Sequence, residues 1–262
     1  MEVIVEKAWN NFKKYRFLLA ELVKKDIKLK YRRSYLGILW TLLEPLLTTA
    51  VLTFVFGNLL GKGGRTFPVY ILTGRLLYSF FSNSTKAAMK SIRKNSGMIK
   101  KVYVPKYIYP LSTILSNYVI FLISMIILFL ATIVFDIEPT WHLFQSVIPL
   151  SLLLVLSLGI GMILATMAVF FRDLEYLWTV FLMLIMYTCA IFYHVDDLKL
   201  GNRIWLFKLN PLYLIILNFR NSMFGNPLDM EALVLSTIYS FAALIFGVLL
   251  FYKEQDKFIL NI

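Results

Sequence analysis

Charge, cysteine and histidine are all scarce in this sequence, and each shortage excludes a class of protein. Charged residues make up 16% and hydrophobic residues 59% of the 262 residues. An ordinary soluble domain has about 25% and roughly 45–50% respectively. The one cysteine, Cys189, excludes an intrachain disulfide and therefore a disulfide-stapled domain. His142 and His194 have no second set of ligands near them in the sequence, so we expect no metal site.

Catalytic motifs are missing as well. The string nearest to a phosphate-binding loop, Gly61 to Thr66, lacks the spacing of GxxxxGKS or GxxxxGKT. No GxSxG, HExxH or CxxC motif is present. We therefore expect a chain that is not an enzyme and that binds no cofactor itself. Any energy that it uses has to come from a partner subunit or from an ion gradient.

Long apolar blocks are what the sequence has in abundance. They measure about 17–29 residues, the length that a helix needs to cross roughly 30 Å of hydrocarbon at 1.5 Å per residue. The sequence predicts an all-α integral membrane protein, with residues 1–262 forming a single transmembrane domain of six transmembrane helices. The predicted spans are Leu36–Leu60, Val69–Thr85, Tyr107–Phe135, Val147–Phe171, Tyr176–Tyr193 and Leu233–Tyr252.

The basic residues predict the orientation of these spans. With the N-terminus inside, the cytoplasmic segments carry twenty Lys and Arg residues and the external segments carry six, with Arg75 left inside a span. This bias follows the positive-inside rule and predicts that both termini are cytoplasmic. The net charge of +12 then reflects membrane topology, and we expect no nucleic-acid partner. The first 34 residues are too charged for a cleaved leader, so none is expected.

Several segments are predicted not to cross the membrane. Residues 1–35 carry apolar side chains at helical spacing between lysines, which predicts a cytoplasmic interfacial helix, either a simple anchor or an element with a further role in gating. Residues 90–105 combine five basic residues with apolar ones, which predicts a short cytoplasmic helix. An external stretch near residues 203–222 is rich in aromatics but broken by proline, which predicts a re-entrant helical hairpin. Residues 36–252 thus form the bundle, and residues 253–262 a cytoplasmic tail.

Two charged residues are predicted to lie inside spans. Glu44, followed by Pro45, lies in the first span, and Arg75 lies in the second, beside a polar patch from Ser79 to Thr85. Such residues have to face protein or a water-filled cavity. The two charges are expected to differ in depth too much to pair within one chain. A proton-coupled carrier is disfavoured because it would normally show a denser set of buried acids.

Short motifs also occur in a recognisable order. Lys30–Gly37 is followed by Trp40, Glu44-Pro45, Phe67-Pro68, Asn95–Pro105, Phe171-Arg172-Asp173, Asn210-Pro211-Leu212 and Phe219-Arg220. This order resembles the membrane subunit, or permease, of bacterial ABC transporters that export polysaccharides, O-antigens and teichoic acids. The segments Arg75–Tyr78 and Cys189–Ile191 depart from the family pattern.

The resemblance implies a transport subunit of the bacterial cytoplasmic membrane that forms a homodimer with a second copy of itself. It also implies two copies of a separate cytoplasmic ATPase, which binds ATP and Mg. A lipid-linked glycan would move outward through a channel at the dimer interface. The predicted segment for docking the ATPase comprises Lys94, Asn95, Ser96, Met98, Ile99, Lys100 and Val102.

Aromatic and basic side chains suggest how a glycan could be handled. Flat rings stack on sugars without fixing a linkage sequence, although an interfacial aromatic belt is the alternative interpretation. The predicted channel residues are Trp40, Glu44, Phe56, Tyr70, Arg75, Tyr78, Tyr187, Phe192 and Tyr193. The predicted ligands of a lipid pyrophosphate are Lys28, Lys30, Arg32 and Arg33, for which anionic membrane lipid is the alternative partner. Two other functions stay open: export of small hydrophobic drugs or peptides, and a non-transporting enzyme that acts on lipid-linked sugars.

Overall fold

The computed structural model describes residues 2–32, 35–59, 64–102, 104–195 and 205–261, and all regular structure within these ranges is helical. The helices are α1 (Glu2–Tyr31), α2 (Trp40–Leu52), α3 (Phe67–Lys94), α4 (Ser96–Ile99), α5 (Ile108–Val134), α6 (Val147–Phe170), α7 (Leu174–Thr188), α8 (Trp205–Lys208), α9 (Pro211–Met223), α10 (Met230–Glu254) and α11 (Phe258–Asn261). A 3₁₀ turn precedes α2, a π-helical stretch over Thr53–Leu59 follows it, and another 3₁₀ stretch, Trp141–Ser146, precedes α6.

Four helical segments among the described residues are long and apolar enough to cross a membrane. They are Gly37–Gly57, Ile108–Val134, Trp141–Phe170 and Met230–Asn261. Their positions match the first, third, fourth and sixth spans predicted from the sequence. The chain is therefore a multi-pass membrane protein, and these four apolar blocks have the length and composition of membrane-crossing helices.

The other two predicted spans correspond to helices of a different character. Helix α3 has 28 residues, which is about 42 Å at 1.5 Å per residue, but it is the more polar of the two. Helix α7 is apolar but only 15 residues long. Both are helical as expected, and the total of six crossings stays a prediction.

Helix α6 lies at the centre of the bundle, packed against α10 on one side and α3 on the other. Two glycines let α6 and α10 approach closely. A Cβ added to Gly159 would lie 2.4 Å from the carbonyl carbon of Ala243, and a Cβ added to Gly247 would lie 2.4 Å from the Gly159 carbonyl oxygen. Such close approach is how helices associate in lipid, where van der Waals contact is a main source of attraction.

The end of the bundle at which α3 ends and α5 begins has its own apolar cluster, which we call the Phe258 cluster. Leu22 of α1, Ile92 of α3 and Phe258 of α11 are buried in it together with the ends of α5, α6 and α10. Helix α1 is one continuous helix of 30 residues that packs along α5. The predicted tail is folded as well, because the ring of Phe258 lies 5.1 Å from that of Phe251. The placement of α1 in the headgroup plane stays a prediction.

Helices α8 and α9 occupy the segment predicted to be a re-entrant hairpin. Pro211 stands in the first turn of α9, where its missing N–H costs nothing, and the Asn210 side chain accepts a hydrogen bond of 3.0 Å from the Leu212 N–H. Helix α9 is mostly buried against α3, α6 and α10. The depth of this segment in the membrane stays a prediction.

Candidate functional site

A cavity of about 350 Å³ lies between the end of α1 and helices α2, α3 and α5. Three charged side chains line it: Lys30 from α1, Glu44 from α2 and Arg75 from α3. Hydroxyl and amide groups complete its polar wall, contributed by Thr41, Thr48, Ser79, Asn83, Asn117 and Ser124. The cavity is a groove that opens on the surface of the bundle, because Lys30, Trp40 and Glu44 are exposed, while Arg75 lies deeper and is half-buried.

The cavity brings together residues that were predicted to be apart. Glu44 and Arg75 were expected to differ in depth, yet both line this one cavity. Within the described residues no ion pair within 4.0 Å joins them. Burial lowers the pKa of the Lys30 ammonium, and the negative charge of Glu44 acts in the opposite direction. The cavity thus carries two cations and one carboxylate.

A second cavity of about 530 Å³ adjoins the first, on the side of the C-terminal end of α3. The two share Lys30, Glu44, Asn83, Asn117 and Ile120, and the second also reaches Asp26 and Lys94. The carboxylate of Asp26 pairs with the Lys94 ammonium at 3.5 Å. We call the two adjoining cavities, which extend from the end of α3 to Arg75, the polar passage.

Asn117 is a lining residue that the sequence analysis missed. It lies on α5, an otherwise apolar span, and its amide donates a hydrogen bond of 2.8 Å to the Thr113 carbonyl oxygen. A single amide within an apolar block was the available signal. The polar patch from Ser79 to Thr85 was recognised in the sequence. In the structure Ser79 and Asn83 line the cavity, whereas Thr85 accepts a hydrogen bond of 3.1 Å from the Trp178 ring N–H of α7.

Of the predicted channel residues, only Trp40, Glu44 and Arg75 line the cavity. The other six surround the C-terminal half of α7 and the residues that follow it. The Tyr78 hydroxyl donates to the Leu182 carbonyl oxygen at 2.9 Å, and the Tyr70 hydroxyl donates to that of Tyr193 at 2.9 Å.

The remaining contacts of this aromatic set are also internal to the chain. The rings of Phe56 and Phe192 stack at 5.1 Å, and the Tyr193 hydroxyl donates to the carbonyl oxygen of Tyr187, whose own side chain is exposed. The described contacts of these six residues are thus around α7, and none of the six lines the cavity. A channel lined by them between two copies of the chain stays a prediction.

The predicted pyrophosphate ligands are also separated by the structure. Lys28, Lys30 and Arg32 are all exposed, and Lys30 also lines the cavity. Arg33 lies outside the described residues. Among the three described members of this group, Lys30 alone shares a cavity with Arg75.

The predicted ATPase-docking segment directly continues α3. Helix α3 ends at Lys94, where the Asn95 side chain donates a hydrogen bond of 2.8 Å to the Ser91 carbonyl oxygen, and the single turn α4 begins at Ser96. Ile99 is only 7% exposed and belongs to the Phe258 cluster, whereas Met98 and Val102 are 37% and 56% exposed. The segment is therefore anchored through Ile99 and presents Met98 and Val102 outward.

A helical bundle that crosses the membrane several times and has charged side chains lining a cavity between its helices is typical of membrane transport proteins. The chain belongs to the ABC-2 type transporter family, whose profile matches residues 18–224.

Relatives of known role are similar over most of their length. The O-antigen export system permease protein RfbA of Klebsiella pneumoniae is 27% identical over 243 residues, covering 92% of this chain and 93% of the relative. RfbA of Myxococcus xanthus is 26% identical over 246 residues, covering 93% and 95%. The polysialic acid transport protein KpsM of Escherichia coli is 25% identical over 220 residues, covering 80% and 82%.

Proposed function

We propose that this chain is the permease subunit of an ATP-driven exporter that moves a lipid-linked polysaccharide, O-antigen or teichoic acid across the bacterial cytoplasmic membrane. Its similarity to permeases of O-antigen and polysialic acid export over most of the chain supports this class of substrate. The observation that carries the proposal is the polar passage between α1, α2, α3 and α5.

The chemistry of that passage suits a glycan on a phosphate-containing lipid. Hydroxyl and amide side chains such as Asn83 and Asn117 can exchange hydrogen bonds with sugar hydroxyls. The cations Lys30 and Arg75 can bind a pyrophosphate, and a guanidinium matches phosphate oxygens in bidentate geometry. A path for a small hydrophobic drug would not need these charged walls, so the glycan is favoured over the drug or peptide alternative.

The proposal requires a motor, because the sequence has no phosphate loop. We assign that role to a separate cytoplasmic ATPase in two copies, which binds ATP and Mg and docks on the surface that includes Met98 and Val102. Both side chains are exposed and apolar, at the end of a long helix that can transmit a push.

A second copy of the chain completes the proposed exporter. Helices α2 and α7 leave broad apolar faces uncovered, including Leu47 and Val51 on α2 and Leu177, Val180 and Phe181 on α7. Lipid and a second copy would share these faces. In the proposed topology α3 and α7 cross the membrane with the four apolar spans, α1 lies in the cytoplasmic interface, α8 and α9 form the external re-entrant segment, and both termini are cytoplasmic.

Reconstitution tests the proposal directly. The chain and its partner ATPase are placed in proteoliposomes with the ATPase facing outward, together with a fluorescent lipid-linked glycan. We expect the glycan to become protected from an added glycosidase only when ATP is supplied. An ATPase variant without its phosphate-loop lysine is the matched control. Chemical alteration of the lipid-linked sugar without ATP-dependent protection would instead support the enzyme alternative and overturn the proposal.

A further inference from the structure

Arg220 is a buried cation that the proposed transport path does not use. It lies on α9 and is only 5% exposed. Its Nη1 donates to the Ala190 carbonyl oxygen at 3.0 Å, and its Nη2 donates to the Tyr70 carbonyl oxygen at 3.1 Å. Within the described residues no carboxylate lies within 4.0 Å of it. Carbonyl oxygens, rather than an acid, therefore satisfy this guanidinium.

The residues around Arg220 leave room for its guanidinium group and contact it directly. Its central carbon lies 3.5 Å from the centroid of the Tyr70 ring, a cation–π contact. Gly74, one turn further along α3, has no side chain to obstruct it, and a Cβ there would lie 2.6 Å from Nη2. The Nε group is 3.4 Å from the Thr73 hydroxyl oxygen. Arg220 thus joins three segments: α9, the outer end of α3, and the residues after α7.

The opposite end of α3 is joined to its neighbours by charge. The Lys90 ammonium lies 2.8 Å and the Arg93 guanidinium 3.7 Å from the Glu175 carboxylate, at the start of α7. Arg93 also donates to the carbonyl oxygen of Ala168 on α6. Lys94 pairs with Asp26 of α1, as described above. Helix α3 is therefore held at both ends by polar side chains.

Between these ends, α3 is linked to α7 by hydrogen bonds. The Trp178 ring N–H donates to the Thr85 hydroxyl at 3.1 Å, and the Tyr78 hydroxyl donates to the Leu182 carbonyl oxygen at 2.9 Å. Helix α7 has few contacts with the rest of the chain, and Leu182 is its only fully buried residue. Its position in the bundle is consequently determined by α3 and, through Leu174 and Trp178, by a small apolar cluster that α3 and α6 share.

Helix α3 is suited to transmit a displacement along its length. It is an unbroken helix of 28 residues whose only proline, Pro68, lies in its first turn, where proline is compatible with helix geometry. The turn α4, on which the ATPase is proposed to dock, follows after the single residue Asn95. A push on α4 therefore reaches α3 without an intervening flexible loop.

From these contacts we infer that α3, α7 and α9 move as one body during transport, with Arg220 as the positioning residue that makes α9 follow α3. A displacement that begins at α4 on the motor side is thereby delivered to the external segment. The inference rests on the proposed ATP-driven function, because that function supplies the displacement.

The test measures movement and export separately in the complex with the ATPase. A spin label at Asn226, an exposed position just after α9, reports the distance between the two copies with and without ATP. In Arg220→Lys the charge remains, but the flat donor group is lost. We expect the ATP-driven distance change to shrink and export per ATP hydrolysed to fall about tenfold, while basal ATPase activity and complex formation persist.

A glycine pair provides a matched control. Gly74→Ala pushes on the guanidinium without removing it and is expected to reproduce the effect of Arg220→Lys. Gly64→Ala places the same methyl group where no atom lies within 4 Å, and it is expected to behave as the unsubstituted chain. An unchanged distance change and unchanged export in Arg220→Lys and Gly74→Ala would overturn the inference.

Milder variants keep the inference testable if those two fail to assemble. Thr73→Val keeps the shape of the side chain and removes only the hydroxyl near Nε. We then expect a loss of export of about twofold with a smaller distance change, because one of several donor contacts is weakened. Wild-type behaviour of Thr73→Val would in that case overturn the inference. Failure of the unsubstituted complex to export, with its ATP-driven distance change intact, would instead contradict the proposed function.

Discussion

The α6–α10 pair and the α3–α7 pair are held together by different physical means. Helices α6 and α10 meet backbone to backbone at Gly159 and Gly247, over one of the most extensive contacts in the bundle. Helices α3 and α7 have a small contact made of ion pairs and hydrogen bonds that involve Glu175, Trp178 and Tyr78.

This difference separates a static part of the molecule from a part that can move. Closely packed helices without voids tolerate little displacement, because each contact is lost steeply with distance. Polar side-chain contacts are directional but few, and long side chains can preserve them over a small shift. We therefore regard α6 and α10 as the frame of the bundle. Because α3 also packs extensively against α5 and α6, we expect its response to the motor, together with α7, to be a small shift along those helices.

The largest effect is expected from a methyl group at the centre of the frame. Gly159→Ala would place its Cβ 2.4 Å from backbone atoms of α10, so the helices have to separate. We expect a loss of about 3 kcal/mol in the free energy of unfolding, measured in detergent by chemical denaturation, as overpacking of cores usually causes. Gly97→Ala, where nothing lies within 4 Å, is the control. Equal stability of the two variants would refute the description of α6–α10 as a rigid frame.

A second prediction concerns the polar side of α3, where Arg75 lines the cavity. Arg75→Gln keeps a polar side chain and removes the cation. We expect the apparent affinity for a lipid-linked pyrophosphate substrate to fall about tenfold, since a charge-assisted contact to phosphate is lost. Stability is expected to change little, because no ion pair of Arg75 within 4.0 Å exists in the described part of the chain. The concentration dependence of ATP-driven export provides the measurement, and an unchanged dependence would remove Arg75 from the substrate path.

A third prediction compares two neighbours at the motor end of α3. Met98→Asp changes an exposed side chain and is expected to weaken binding of the ATPase about tenfold, measured by co-purification, while the chain itself stays folded. Ile99→Asp instead places a carboxylate in the Phe258 cluster, and we expect the chain to lose stability even without its partner. If Met98→Asp bound the ATPase normally, the proposed docking surface would be wrong.

The smallest effect on stability is expected where the C-terminal end of α3 meets the start of α7. Glu175→Gln removes the ion pairs with Lys90 and Arg93. All three side chains in these ion pairs are partly exposed. Exposed ion pairs contribute little, so we expect a loss of about 0.5 kcal/mol that disappears at high salt. Export per ATP hydrolysed is expected to fall more than stability does, because α7 would follow α3 less closely. If stability fell more than export per ATP hydrolysed, this contact would have only a structural role.

Some of the fold could be predicted from local sequence patterns with good accuracy. The third span was expected at Tyr107–Phe135 and is the helix Ile108–Val134, and the fourth was expected at Val147–Phe171 and is the helix Val147–Phe170. The length of an apolar block and the polar residues at its ends are properties of neighbouring positions. These local properties are sufficient to predict a span, because only a helix of about that length crosses the hydrocarbon core with all its backbone groups hydrogen-bonded.

Helix α3 shows where such patterns stop being sufficient. Its predicted span ended at Thr85, yet the helix continues to Lys94, because Ala88 and Ile92 remain buried against the rest of the bundle beyond the apolar run. The patch from Ser79 to Thr85 was expected to face protein or a cavity. The structure places part of it in the cavity and part of it on α7.

The sequence by itself determined the helical membrane class, four of the spans and the presence of charged residues that cannot face lipid. Only the tertiary structure decided which side chains surround each of those charged residues. Glu44 and Arg75 line one cavity, and Arg220 stacks on Tyr70, although 150 positions separate them. Helix formation depends on residues a few positions apart, whereas a cavity or a cation–π contact depends on how whole helices pack, which no local periodicity records.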